Sequence, residues 1–337
     1  MQTLSKTLQN LTPGDPRAYV HTRVLSEQRK LTKPARLTAS KRAEYKQQSK
    51  GILIDLATAL GDQELAGKLS RCHANLAVIT CGKHIARVIP DSTCGFRLCP
   101  DCARRRAGKF MRKYVPAVLA FSVASNTQPC LLTLTQKKRS ESFQSAVKSI
   151  TASFKALRRS KIFEAYFKGG LFSVEFTVDQ DGLYHVHIHA LVFRTRQLTA
   201  VDLQSLKDRW FEITGDSHVL NLKWINPQQS GGIEAGVREV IKYAVKPASL
   251  VNFTPSHLKD FMAMKRQRMF GTFGEFQTFA RSYEPRAAEL ANLLPITDHG
   301  RPGEPCMHCG KPLFDVRLRG SELPDFLRRI DSSPAIE

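Results

Sequence analysis

Residues 184–193 read Tyr-His-Val-His-Ile-His-Ala-Leu-Val-Phe, imidazole alternating with aliphatic side chains before the run turns wholly apolar. In an extended strand every second residue leaves the same face, so His185, His187 and His189 share one face and Val186, Ile188 and Ala190 the other. A bound metal ion is the natural reason to gather three imidazoles on one side of an otherwise apolar strand. Residues 171–178 form a similar apolar run, and Asp179-Gln-Asp-Gly182 between them is a turn, so the two runs predict a hairpin. Glu175 and His187 lie symmetrically about Asp181, and an odd-numbered loop would set them opposite one another, about 5 Å apart. Glu175 is the first choice for a third ligand beside His187 and His189, with His185 its competitor. Two imidazoles and a carboxylate leave coordination positions open, as Lewis-acid catalysis requires, although non-haem iron oxygenases use the same set.

The flanking sequence predicts the frame. Residues 130–135, Cys-Leu-Leu-Thr-Leu-Thr, read as a strand. Phe143, Val147, Ile150, Phe154 and Leu157 recur at helical spacing, with Lys148, Lys155 and Arg158 opposite. Thr199 can cap a helix to about residue 214 carrying Leu203, Leu206, Trp210 and Ile213 on one face. Residues 219–225 alternate as a strand, and a helix over 233–245 stops before Pro247. The order strand, helix, strand, strand, helix, strand, helix implies an α+β fold of ferredoxin-like, split βαβ type. Its sheet is mostly antiparallel, with the helices packed on one face. Upstream, residues 52–69 predict a helix interrupted near Gly61. In the last helix Glu239, Tyr243 and Lys246 fall on one face, a nucleophile with a neighbouring carboxylate and a cation.

His187-Ile-His189 followed by Ala-Leu-Val, with Glu239-x3-Tyr243-x2-Lys246 downstream, resembles the HUH endonucleases, specifically the rolling-circle replication initiators of small bacterial plasmids. Residues 131–135 resemble that family's first motif, and Cys94-x4-Cys99-Pro-Asp-Cys102 with Arg104-Arg-Arg106 its cysteine-rich segment. The chain departs in Val186, where the family often has proline, and in Cys306-x2-Cys309, which has no counterpart there. The resemblance implies metal-dependent nicking and joining of single-stranded DNA at an origin, with Mn²⁺ or Mg²⁺ on His187, His189 and Glu175. Tyr243 would form a 5′-phosphotyrosine and leave a 3′-hydroxyl primer, Lys246 would offset phosphate charge, and Glu239 would activate water at termination. A host helicase and DNA polymerase are the implied partners in a bacterial cytoplasm. A single-tyrosine relaxase fits less well, since its tyrosine usually precedes the histidine strand and Tyr19 is the only early candidate. A transposase normally lacks the cysteine module. A non-catalytic zinc-dependent DNA-binding regulator is the alternative from another class.

Fifty-one Lys and Arg against 30 Asp and Glu leave a net charge of +21, which favours an anionic partner, nucleic acid before an acidic membrane surface. No apolar run approaches the ~18 residues of a membrane span, and the N-terminus lacks the pattern of a secretory signal, so an intracellular protein is expected. In a reducing compartment the 8 cysteines suggest metal sites rather than disulfides. Cys94, Cys99 and Cys102 with Cys72 or Cys81 supply four thiolates for structural Zn²⁺, the family pattern favouring Cys72. Cys306 and Cys309 are half of a second zinc site, which Cys81, His84 or His299 could complete, while Cys130 reads as a core residue. Arg97, Arg104, Arg105, Arg106 and Lys109 around the first site suggest DNA contact. The resulting plan has four parts: a basic, partly helical arm (1–70), a cysteine-rich zinc module (71–113), a catalytic domain (114–255) and a C-terminal region (256–337).

Overall fold

The computed structural model describes residues 39–137, 140, 142–225, 232–245, 250–264, 268–284, 301–306 and 308–331. The basic arm before residue 39, Lys246, Pro247 and His299 lie outside the described residues. The chain forms two compact units, one made of Met1–Arg104 with Ala291–Glu337 and the other of Arg105–Leu290. The region 256–337 of the four-part plan is divided between them, residues 256–290 falling in the second unit and 291–337 with the N-terminal flank.

The flanking unit begins with α1 (Ala39–Ala59) and α2 (Gln63–Arg71), separated at Gly61 and restarted by the Asp62 side chain accepting from the Leu65 N–H. Strands β1 (Asn75–Thr80) and β2 (Ile85–Pro90) make an antiparallel hairpin. Next comes α3 (Pro100–Ala124), within which the division between the units falls.

The second unit continues with β3 (Gln128–Thr135), α4 (Phe143–Arg158), α5 (Lys161–Tyr166), β4 (Phe167–Val178) and β5 (Tyr184–Arg194). It goes on through α6 (Ala200–Thr214), β6 (Leu220–Trp224), α7 (Gly232–Val245), α8 (Pro255–Ala263), β7 (Phe270–Phe273) and α9 (Gly274–Ser282). The C-terminal flank adds β8 (Phe314–Arg319) and α10 (Leu323–Asp331) to the first unit, where β8 lies on the far side of β1 from β2.

The larger sheet has the order β6-β3-β5-β4-β7, antiparallel throughout. Of its first four strands in sequence, the third is inserted between the first and second, the pairing a split βαβ unit requires. Ser142 and Thr199 cap α4 and α6, Thr199 in a reciprocal capping box with Asp202. Val186, Ile188 and Ala190 are at most 1% exposed. They share their face with Phe172 and Phe176, whose rings pack against Phe154 and Phe143 of α4.

The placement of α7 corrects the one-face expectation. Ser173 Oγ donates to the Val240 carbonyl at 2.7 Å, and Ser173 stands directly opposite His189. A Cβ on Gly236 would lie 2.4 Å from Ile225 Cδ1 and 3.7 Å from Leu191 Cδ1, so the missing side chain is what lets the helix approach so closely. Leu191 shares its face with His189, so α7 covers the histidine side while α4 covers the other. An amphipathic pattern states that a helix has an inward face, not which side of a sheet receives it.

Candidate active site

The hairpin register sets Glu175 directly opposite His187, and on β3 it sets Thr133 opposite His189 and Thr135 opposite His187. Glu175 Oε2 lies 2.9 Å from His189 Nε2, both side chains 15% exposed. Thr133 Oγ1 is 3.3 Å from His189 Nδ1 and Thr135 Oγ1 3.0 Å from His187 Nδ1. With both Nδ1 atoms engaged by hydroxyls, the ring of His189 presents Nε2 to Glu175, the usual way a second hydrogen bond orients an imidazole. His185 stands opposite Thr177, its ring centroid 4.5 Å from that of His187. Glu175, not His185, therefore meets His189. The two threonines were missed from the sequence, where they read as the polar half of a strand pattern; the cross-strand register is what makes them partners.

On α7, Val237, Val240 and Ile241 are at most 1% exposed and Glu239 is half-buried beside them. Gly236 lies near Leu191 and Val240 near the Ser173–His189 pair, so α7 runs antiparallel to β5. The backbone of Tyr243 lies three residues, ~4.5 Å, beyond Val240 in that direction. A carboxylate oxygen with two imidazole nitrogens is a donor set of the chemistry a divalent ion takes, but the three donors do not all lie within 4.8 Å of one another as those of the two groups below do.

Two further groups of donors could hold a metal such as zinc: Cys72, Cys94, Cys99 and Cys102, and Cys81, His84, Cys306 and Cys309. Within each, the donor atoms all lie within 4.8 Å of one another, and no other group of three or more is this close among the described residues. Cys72, not Cys81, completes the first group. Its Sγ lies 3.7 Å from Cys99 and 3.6 Å from Cys102, and Cys94 is 3.6 Å from Cys102. A tetrahedron with ~2.3 Å zinc–sulfur bonds has sulfur–sulfur edges of ~3.8 Å, so these spacings suit a closed zinc site. Hydrogen bonds from Cys94 and Cys99 hold the Cys72 thiol far below its usual range, and the Cys94 thiol, facing Cys72, is pushed up to about 12.

Arg104, Arg105 and Lys109 are exposed on α3, while Arg97 and Arg106 are half-buried. Cys130 is fully buried and its thiol is pushed up to about 12 by burial, as suits a core residue. No described helix is long and apolar enough to cross a membrane.

The sequence profile of the Rep_1 family, described as Replication protein, matches residues 86–305. Protein rep of Lactiplantibacillus plantarum is 29% identical over 182 residues, 50% of this chain and 57% of that relative, so the chain spans little more than half of the relative's length. No solved structure matches the chain.

Proposed function

The chain belongs to the Rep_1 family of replication proteins, and from that premise we propose that it initiates plasmid rolling-circle replication by nicking one DNA strand at the origin through Tyr243. The observation that carries this reading is the cross-strand set Glu175, His187 and His189 beneath α7, the helix that bears Glu239 and Tyr243.

Single-stranded origin DNA would lie along the histidine face with its scissile phosphate at Glu175, His187 and His189. Glu175, His187 and His189 would hold Mn²⁺ or Mg²⁺, which would supply Lewis-acid polarisation of the phosphate. Thr133 and Thr135 keep the imidazoles in one tautomer and one orientation, so little reorganisation is needed as charge develops. The Tyr243 oxygen attacks phosphorus and loses its proton; the bond from phosphorus to the 3′ oxygen breaks, and that oxygen takes up a proton. The products are a 5′-phosphotyrosine and a free 3′-hydroxyl. A phenol with a pKa of about 10 is a poor nucleophile at neutral pH, and Lys246, three residues on in sequence, would favour its ionised form. Glu239 would take a proton from water when the phosphotyrosine is later resolved. The exposed cations of α3 contact backbone phosphates, which positions DNA without reading its sequence.

Incubating the protein with 3′-labelled single-stranded origin DNA and Mn²⁺ tests this directly. The expected result is a labelled covalent adduct, abolished in Tyr243→Phe while DNA binding survives. A Tyr243→Phe protein that still forms the adduct overturns the nucleophile, and a wild-type protein that binds but forms none is a non-catalytic regulator.

A further inference from the structure

We propose that Cys81, His84, Cys306 and Cys309 form a second structural zinc site that fastens the C-terminal flank to the N-terminal one, separate from the four-cysteine site and from the nicking reaction. Its ligands come from two distant stretches of chain. Cys81 and His84 lie in the turn between β1 and β2, and Cys306 and Cys309 in the turn before β8, with Cys81 and Cys309 228 residues apart.

The spacing suits one metal. Cys81 Sγ is 3.5 Å from Cys309 Sγ and 3.5 Å from His84 Nδ1, and Cys306 Sγ is 3.7 Å from His84 Nδ1. Zinc–sulfur bonds of ~2.3 Å and a zinc–nitrogen bond of ~2.0 Å meeting at tetrahedral angles give edges of ~3.8 Å between sulfurs and ~3.6 Å between sulfur and nitrogen. A disulfide would need ~2.05 Å. Three thiolates and one imidazole are a closed structural set with no position left for a substrate. The backbone is shaped to match: the His84 N–H donates to Cys81 Sγ at 3.3 Å, and Gly310, at φ +68°, turns back so that its N–H reaches the Cys306 carbonyl at 2.7 Å.

The flank also needs such a fastening. Among the described residues of 301–319, Cys306 and Leu313 alone are buried, and they join only Ile79 and Cys81 in a four-residue cluster. So small a core contributes little to ordering residues 301–313, and a metal commonly does so in its place. The site lies where the β1–β8 ladder ends, at the Thr80–Phe314 pair, so coordination there holds the register of all six pairs. In sequence, the whole of residues 105–290 falls between the two halves of the site. All four ligands fall outside residues 86–305, the segment that the family profile matches.

Metal analysis of reduced, full-length protein tests the assignment, with two zinc ions per chain expected. Cys309→Ser, which alters an exposed ligand, should fall to one, and limited proteolysis should then cut the C-terminal flank while residues 105–290 stay intact. His84→Cys should keep two ions and, after cobalt substitution, show stronger sulfur-to-cobalt charge-transfer absorption from one added thiolate. A single zinc in the wild type, a Cys81–Cys309 disulfide in its place, or two ions retained in Cys309→Ser would overturn it.

Discussion

The five-stranded and three-stranded sheets are stabilised by different physics. In the larger one, Leu134, Val174, Ile188 and Ala190 are at most 1% exposed, and phenylalanines from α4, α8 and β7 pack against its other large side chains. In the smaller one, β1 is buried from Leu76 to Thr80 but β8 alternates only between exposed and half-buried positions, and cysteine groups that could hold a metal lie in the same unit. A sheet with a thick apolar side tolerates a polar, half-buried other face. A sheet with so exposed an edge strand would gain most from cross-links that bind metal only when folded.

The largest effect should come from stripping metal with a strong chelator, since structural zinc contributes on the order of 10 kcal/mol to folding of such modules. Amide exchange should then show β1, β2 and β8 losing protection while β3 to β5 keep theirs; equal loss in both sheets would break the comparison. Ile188→Ala probes the other side. Removing a fully buried side chain between α4 and the sheet should cost about 2–5 kcal/mol in denaturant unfolding of the second unit, with zinc content unchanged. Thr135→Val keeps the shape beside His187 but removes the hydroxyl 3.0 Å from Nδ1, and should weaken Mn²⁺ binding about 10-fold by titration, with Thr135→Ser restoring it. The smallest expected change is in Thr199→Ala. Loss of the α6 cap should lower stability by about 1 kcal/mol without affecting metal at either sheet.

Much of the larger sheet was legible because its patterns are local. The alternation at residues 184–189, the Asp-Gly turn and the symmetric spacing of Glu175 and His187 together anticipate the observed pair, and Thr199 caps α6 as its position suggests. The small sheet was not legible. Its central strand pairs with a partner some 240 residues away, Asn75 with Arg319, and β8 carries too few buried residues to announce itself. The spacing of Cys94, Cys99 and Cys102 announced a metal site, but the choice between Cys72 and Cys81 needed distances.

By itself, the sequence determined the strand and helix periods, the side of the strand from which the histidines project, and the thiol-rich segments, because each depends on residues close together in the chain. Tertiary structure alone decided that α7 covers the histidine face, that Thr133 and Thr135 hold the two imidazoles, and that the C-terminal flank returns to β1. These are long-range choices, set by which surfaces meet once the chain closes its loops, and local side-chain spacing carries no record of them.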